Sequence, residues 1–223
     1  MQVQSRRMDS IATNLANLSV NGYKRFGEAT EVFEVPGRHG QKLWGQRADA
    51  QVDFSQGNLN RTGRELDLAL TGSGFFAVES PDGEVYTRDG EFQLTAEGNL
   101  VTMHGWPVAW SVRDGLIDPT GEQLAIDAEG NVRQGLVDIG RLRIADFTDP
   151  QSLRPGERGT WEAPAGLAEA TPTAVVNQGA LEESNATAVE EMVAMVATQR
   201  HFDVLTRTVS AIQEIEQRLT RSN

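Results

Sequence analysis

Three histidines, His39, His104 and His201, carry the imidazoles that could serve as general base or metal ligand near neutral pH. Each stands alone, with no second histidine or cysteine at metal-ligand spacing. A Ser-His-Asp site would have to be assembled wholly by folding, because no nucleophile-elbow pattern accompanies them. The carboxylates are more numerous. A glycoside-cleaving pair needs two of them roughly 5–10 Å apart, yet here they recur beside glycines, as in Asp82-Gly83, Asp89-Gly90 and Asp114-Gly115. There Asp favours turn geometry, so they read as solvated turn carboxylates. Gly72-Ser73-Gly74 could cradle a phosphate, but it lacks a third glycine, and Phe75-Phe76-Ala77-Val78 continues as strand rather than helix. The run Asp127 to Asn131 lacks the closing Glu of a calcium loop. No catalytic, cofactor-binding or metal-binding residues are assigned, no cofactor is expected, and the chain reads as a non-enzyme.

Composition narrows the partners. The 223 residues carry a net charge of −12, with nine Lys/Arg against seven Asp/Glu through Glu65 and a strong acidic excess beyond. No segment is basic enough to neutralise a run of phosphates, which argues against nucleic acid. There are no cysteines, so disulfides and thiolate chemistry are excluded. No run approaches the roughly 18 apolar residues of a bilayer span, so no membrane insertion is expected. Arg6-Arg7 is followed by Met8-Asp9-Ser10 rather than by the apolar core of a cleaved leader.

The elements that would position these residues fall into three regions. Met8, Ile11, Leu15 and Leu18 recur at three, four and three, which predicts a helix over Met1 to Leu18, stopped by Asn21-Gly22. From Phe54 to Ile144 the period is two, as in Leu66, Leu68 and Leu70, and turn glycines fall six to ten residues apart. That spacing admits short strands and no helices. Thr187 to Leu219 contains neither Pro nor Gly, and Val189, Met192, Val196, Phe202, Leu205, Val209, Ile212, Ile215 and Leu219 follow a helical stripe. Such a helix is ~50 Å long, with Thr187 and Glu190 as a capping box. The expected fold class is α+β, with coiled-coil-like terminal helices flanking a central all-β domain of short hairpins. The expected boundaries are 1–30 for the N-terminal helix and turn, 31–65 for an extended or β connection, 66–147 for the β domain, 148–180 for an irregular return and 181–223 for the C-terminal helix. The longer helix cannot cover its stripe against one half its length, and large uncovered apolar surface marks association.

Four sequence blocks occur in a telling order. Asn14-Leu15-Ala16-Asn17 precedes Asn21-Gly22-Tyr23-Lys24. Gln56-Gly57-Asn58-Leu59 leads to Leu66-Asp67-Leu68-Ala69-Leu70 and Gly74-Phe75-Phe76. Tyr86-Thr87-Arg88-Asp89-Gly90 follows, and Gln178-Gly179-Ala180-Leu181-Glu182 closes the set. In these blocks the chain resembles the bacterial flagellar basal-body rod proteins, which are related to hook protein. The resemblance implies a fold whose terminal helices pack into a tubular core while the β region touches neighbouring subunits. It further implies a structural subunit of the rod crossing the periplasm, exported through the flagellar type III apparatus without a cleaved signal peptide. The implied partners are copies of itself and other rod and hook proteins. Relatives usually begin further upstream of the Asn14 block, so the N-terminal helix is expected to be short.

The family-motif residues are Asn14, Leu15, Ala16, Asn17, Asn21 and Gly22. The expected subunit interface is Met8, Ile11, Leu15, Leu18, Met192, Val196, Phe202, Leu205, Val209, Ile212 and Leu219. Only 32 residues separate Tyr23 from Gln56, which favours the proximal over the distal rod subunit. From a different class, Trp44, Trp106, Trp110 and Trp161 could supply stacking faces for a cell-wall or polymer-binding β module.

Overall fold

In the computed structural model, helix α1 spans Gln2–Ala16. The structure describes the backbone of residues 2–36 and 42–221, and the side chains of residues 3–27, 51–204, 206–208 and 210. Ile11 and Asn14, three positions apart, are the buried residues of α1, with Met8 and Leu15 half-buried beside them. Asn17 terminates the helix. Its backbone N–H lies 3.2 Å from the carbonyls of both Thr13 and Asn14, and its side chain donates to Thr13 O at 2.8 Å. The Asn21-Gly22 pair expected to stop the helix lies beyond it.

A hairpin follows, of β1 (Phe26–Pro36) and β2 (Lys42–Val52), antiparallel from Phe26↔Val52 to Pro36↔Lys42. The chain then runs through β3 (Leu59–Arg61), β4 (Leu68–Thr71), β5 (Phe75–Ser80), β6 (Gly83–Thr87), β7 (Phe92–Leu94), β8 (Leu100–Thr102) and β9 (Trp110–Arg113). Next come β10 (Leu124–Ile126), β11 (Asn131–Gln134), β12 (Val137–Leu142), β13 (Ile144–Phe147), β14 (Arg154–Pro155), β15 (Trp161–Glu162), β16 (Glu169–Ala170), β17 (Val175–Gln178) and β18 (Ala180–Glu182). Helix α2 spans Ala188–Arg221. Thr187 caps it, with the Glu190 N–H donating to Thr187 Oγ1 at 3.4 Å. Glu190 and Glu191 lie in its first turn, where the helix dipole favours negative charge.

Two compact units result: residues 1–18, 25–53 and 186–223 in one, and residues 19–24 and 54–185 in the other. The second is built of sheets ordered β10-β11-β12-β9 and β14-β15-β6-β5-β13-β16, with the pairs β17-β4, β18-β3 and β7-β8. Its core gathers Leu68, Leu70, Phe76, Phe92, Leu100, Val108, Ile117, Leu124, Ile126, Val132, Ile139, Leu142 and Val176. Leu68-Ala69-Leu70 and Phe75-Phe76-Ala77-Val78 are buried at every position. The alternation expected for a half-exposed strand therefore gives way to strands covered on both faces, where small Ala69 and Ala77 fit the second face. Close packing also explains Gly90: a Cβ there would lie 1.7 Å from Leu68 O. The residues 148–180, expected as an irregular return, carry β14 to β17, and β17 pairs with β4 in the register Val176↔Leu70.

The expected fold class needs correction at its helices. α1 has 15 residues and α2 has 34, and they do not form coiled-coil-like flanks. A coiled coil buries an apolar a/d seam. The face of α2 that is buried within its unit carries Glu191 and Thr198, with Ala194 and Met195 half-buried. Met192 and Val196, on the expected seam, are exposed. The opposing face of α1 contributes Asn14 as well as Ile11. The polar contacts described below tie each helix to the Arg25-Phe26 segment.

Candidate functional site

Within the helical unit, the motif residue Asn14 is fully buried and grips the start of β1 from both sides. Its Nδ2 donates to Phe26 O at 2.8 Å, and its Oδ1 accepts the Phe26 N–H at 2.9 Å. One amide side chain thereby serves as donor and acceptor at once for the Phe26 backbone. Arg25, next to Phe26, pairs through Nε with the buried carboxylate of Glu191 on α2. This contact, chiefly a hydrogen bond, raises the Arg25 pKa further above its ordinary value. Leu15 and Asn17 are half-buried and Ala16 is exposed.

The other motif residues serve the β unit. Gly22 adopts φ +67°, and its N–H donates to Glu182 O at 2.7 Å. A Cβ there would lie 2.3 Å from the Arg88 carbonyl carbon and 2.4 Å from Asp89 N. Glycine is thus required twice, by conformation and by space. Asn21 donates to Glu91 Oε2 at 3.2 Å.

Beside Gly22 lies an ionic cluster that the sequence reading missed. Lys24, Arg88 and Glu182 are all nearly or wholly inaccessible. Lys24 Nζ donates to Glu182 Oε1 at 2.6 Å and to Ser55 O at 2.7 Å. Arg88 Nη1 donates to Glu182 Oε2 at 3.1 Å, and Nη2 to Gly72 O at 2.6 Å. The Gly57 N–H adds a bond to Glu182 Oε1 at 2.9 Å. Burial holds the Arg88 pKa below its ordinary value, opposed by Glu182. The three residues sit in the sequence blocks quoted above. Their co-occurrence inside apolar-rich blocks was the available signal.

A second cluster surrounds Arg64, which holds Asp67 at 2.8 Å and Glu91 at 2.7 Å. Asp67 also accepts from Thr62 Oγ1 at 2.5 Å. These carboxylates are spoken for structurally. Among the described residues, no group of three or more His, Asp or Glu could hold a metal ion. His104 leans on Trp106, with ring centroids 6.4 Å apart, and His201 is exposed on α2; His39 lies outside the described side chains. The tryptophans offer few free faces. Trp161 is buried against Phe54, Arg113 lies over Trp110 and Arg158 over Trp106; Trp44 lies outside the described side chains.

The expected interface residues divide. Ile11 is buried within the helical unit, while Met8, Leu15 and Leu18 are half-buried. On α2 the exposures are Val189 74%, Met192 58%, Val193 65%, Val196 49% and Phe202 42%. Met192, Val193, Val196, Ala197, Arg200 and His201 border an open apolar cleft of about 580 Å³. Leu205, Val209, Ile212 and Leu219, with Ile215, lie outside the described side chains. No described helix is long and apolar enough to cross a membrane.

The β unit closes around its own core, and α2 carries exposed apolar residues at Val189, Met192, Val193 and Val196. Residues 69–134 match the family described as flagellar hook protein FlgE/F/G D1 domain, and residues 177–222 match flagellar basal body rod FlgEFG protein C-terminal. The chain is 32% identical to the flagellar basal-body rod protein FlgG of Buchnera aphidicola subsp. Schizaphis graminum (strain Sg), over 99% of this chain and 95% of that protein. It is 31% identical to the basal-body rod protein FlgF of Caulobacter vibrioides, covering 94% and 89%, and 33% identical to FlgF of Rhizobium meliloti, covering 90% and 85%. The chain belongs to the flagellar basal-body rod protein family, a family of structural components of the flagellum rather than of enzymes.

Proposed function

We propose that this chain is a rod subunit that polymerises through its terminal helices, with copies of itself and other rod and hook proteins as partners. The observation that carries this reading is the ridge of Val189, Met192, Val193 and Val196, all about half exposed or more. Fully burying one such side chain contributes about 1.5–3 kcal/mol, so the ridge gains substantially when a neighbour covers it. Half-buried Met8, Leu15 and Leu18, together with Phe202, Leu205, Val209, Ile212 and Leu219, complete the proposed interface. Passage through the flagellar export apparatus is part of the same reading. So is a proximal position, which rests on the short Tyr23–Gln56 stretch, since relatives named FlgG and FlgF match at nearly equal identity.

The test is Met192→Asp and Phe202→Asp in a motile cell. Both residues are exposed in the isolated chain, so each substitution changes its stability by only about 0.5 kcal/mol. A carboxylate placed in an assembled interface is a buried unpaired charge. The expected result is a folded, soluble subunit with loss of rod formation and motility. Normal rods from both variants would overturn the helical interface. Immunolocalisation in purified basal bodies then decides the proximal position.

A further inference from the structure

The hairpin of β11 and β12 turns through Gly135 and Leu136, with Gln134 and Val137 paired across it. Gly135, at φ +59°, supplies the left-handed residue that a two-residue hairpin turn demands. Leu136 then stands at the tip 98% exposed, with Val137 and Leu116 also exposed. The loop that carries Leu116 is fastened to this hairpin on both sides. Ile139 O accepts the Asp114 and Gly115 N–H groups at 2.9 and 3.0 Å. Gln134 accepts the Asp118 N–H at 2.9 Å and donates to Asp118 O at 2.8 Å. The apolar tip is therefore a held knob, and its exposed side chains contribute little to their own core. Four carboxylates, Asp114, Asp118, Glu122 and Asp138, surround it against the two guanidiniums of Arg113 and Arg133.

Helix α2 presents the complement. Met192, Val193, Val196 and Ala197 line its open apolar cleft, and the two polar residues that border it, Arg200 and His201, are both of basic type. We propose that this cleft receives the Leu136 hairpin tip of a second copy of the chain. Complementarity selects that occupant: an apolar knob with an acidic rim matches an apolar recess with a basic rim, and one molecule carries both uncovered. Opposite charges at the rim steer the encounter and fix its orientation, while removing the knob from water drives it. Knob and recess are different patches, so the contact is head-to-tail. Each added copy leaves one knob and one recess free, and the contact repeats along a filament as a closed two-fold pair cannot. The inference rests on the rod-subunit reading above and names what covers the ridge.

The chain has no cysteine of its own, so a disulfide trap reads the contact directly. Leu136→Cys and Val196→Cys both change exposed side chains and leave the fold intact. In rods assembled from the double variant, oxidation is expected to link copies into dimers and longer chains, while neither single variant links. Links in Leu136→Cys alone would mean that like meets like. A bridge closed within one chain, a link only to a different protein, or no link at all would each give the cleft another occupant; any of these overturns the proposal. Should the double variant fail to assemble, Leu136→Asp decides. It is expected to melt like the wild type and to lose rod formation. Normal rods from Leu136→Asp, beside failure of Met192→Asp, refute the hairpin as occupant and leave the helical interface standing. Normal rods from Leu136→Asp, Met192→Asp and Phe202→Asp alike refute the underlying reading as well.

Discussion

Lys24 and Glu182, 158 residues apart in sequence, meet at 2.6 Å with neither side chain exposed to more than 1%. Arg88 shares the same carboxylate, so one anion holds two buried cations. Removing one partner from a buried ion cluster costs about 3–5 kcal/mol when a charge is left uncompensated. Glu182→Gln removes the carboxylate that both cations share and should lower the unfolding free energy by about that much. Lys24→Met leaves the Arg88–Glu182 pair intact and should cost clearly less. Denaturant titration of the two variants checks the order; equal losses would mean that Arg88 and Glu182 do not form a self-sufficient pair.

Gly22 and Gly63 share a left-handed backbone, at φ +67° and +74°, but only Gly22 has neighbours where a Cβ would stand. Gly63→Ala should cost about 1 kcal/mol, the conformational share alone. Gly22→Ala adds overpacking of about 1–3 kcal/mol and should be the more damaging by that margin. Thermal melts of both variants provide the comparison.

Asp89 has its pKa raised to about 6, first by burial and then by Glu91 and Asp67. A carboxyl that holds its proton more tightly when folded contributes stability that is full below about pH 4, its unfolded value, and is lost as pH rises through about 6. Stability should therefore fall across that window through this group. Asp89→Asn keeps the Oδ1 that accepts the Glu91 N–H and removes the charge. It should flatten the slope and stabilise the protein at pH 7 by on the order of 2 kcal/mol. Urea midpoints measured from pH 4 to 7 for both proteins test the sign.

Asn14→Ala deletes the two part-buried hydrogen bonds that its side chain makes to the Phe26 backbone. The expected loss is about 2–3 kcal/mol, with faster amide exchange at Phe26 as the local signature. A loss below about 0.5 kcal/mol would show that the motif asparagine is not needed for this joint.

Local pattern carried well in some places. The stretch free of Pro and Gly marked α2 to within two residues at its C-terminal end, and Thr187 was legible as its cap, because helix propensity and capping act within a single turn. Closely spaced turn glycines placed the strands. The helical stop did not carry: Asn21-Gly22 resembles a helix terminator, yet Asn17 ends α1, and Gly22 is there because Arg88 passes against it. Nor did the covered face of α2, since Glu191 and Thr198 look solvent-facing beside Met192 and Val196.

The sequence by itself determined the element types, the acidic surface and, through its ordered blocks, the family. Only the tertiary structure decided that Lys24, Arg88 and Glu182 form one cluster, that Gln178 bonds to Leu124 and Ile126 of β10, and which side of α2 is left bare. The physical reason is range. Periodicity, capping and turn preference are set by residues a few positions apart, whereas these contacts join groups 52 to 158 residues apart. Across such separations no spacing rule operates, and burial alone selects the partner.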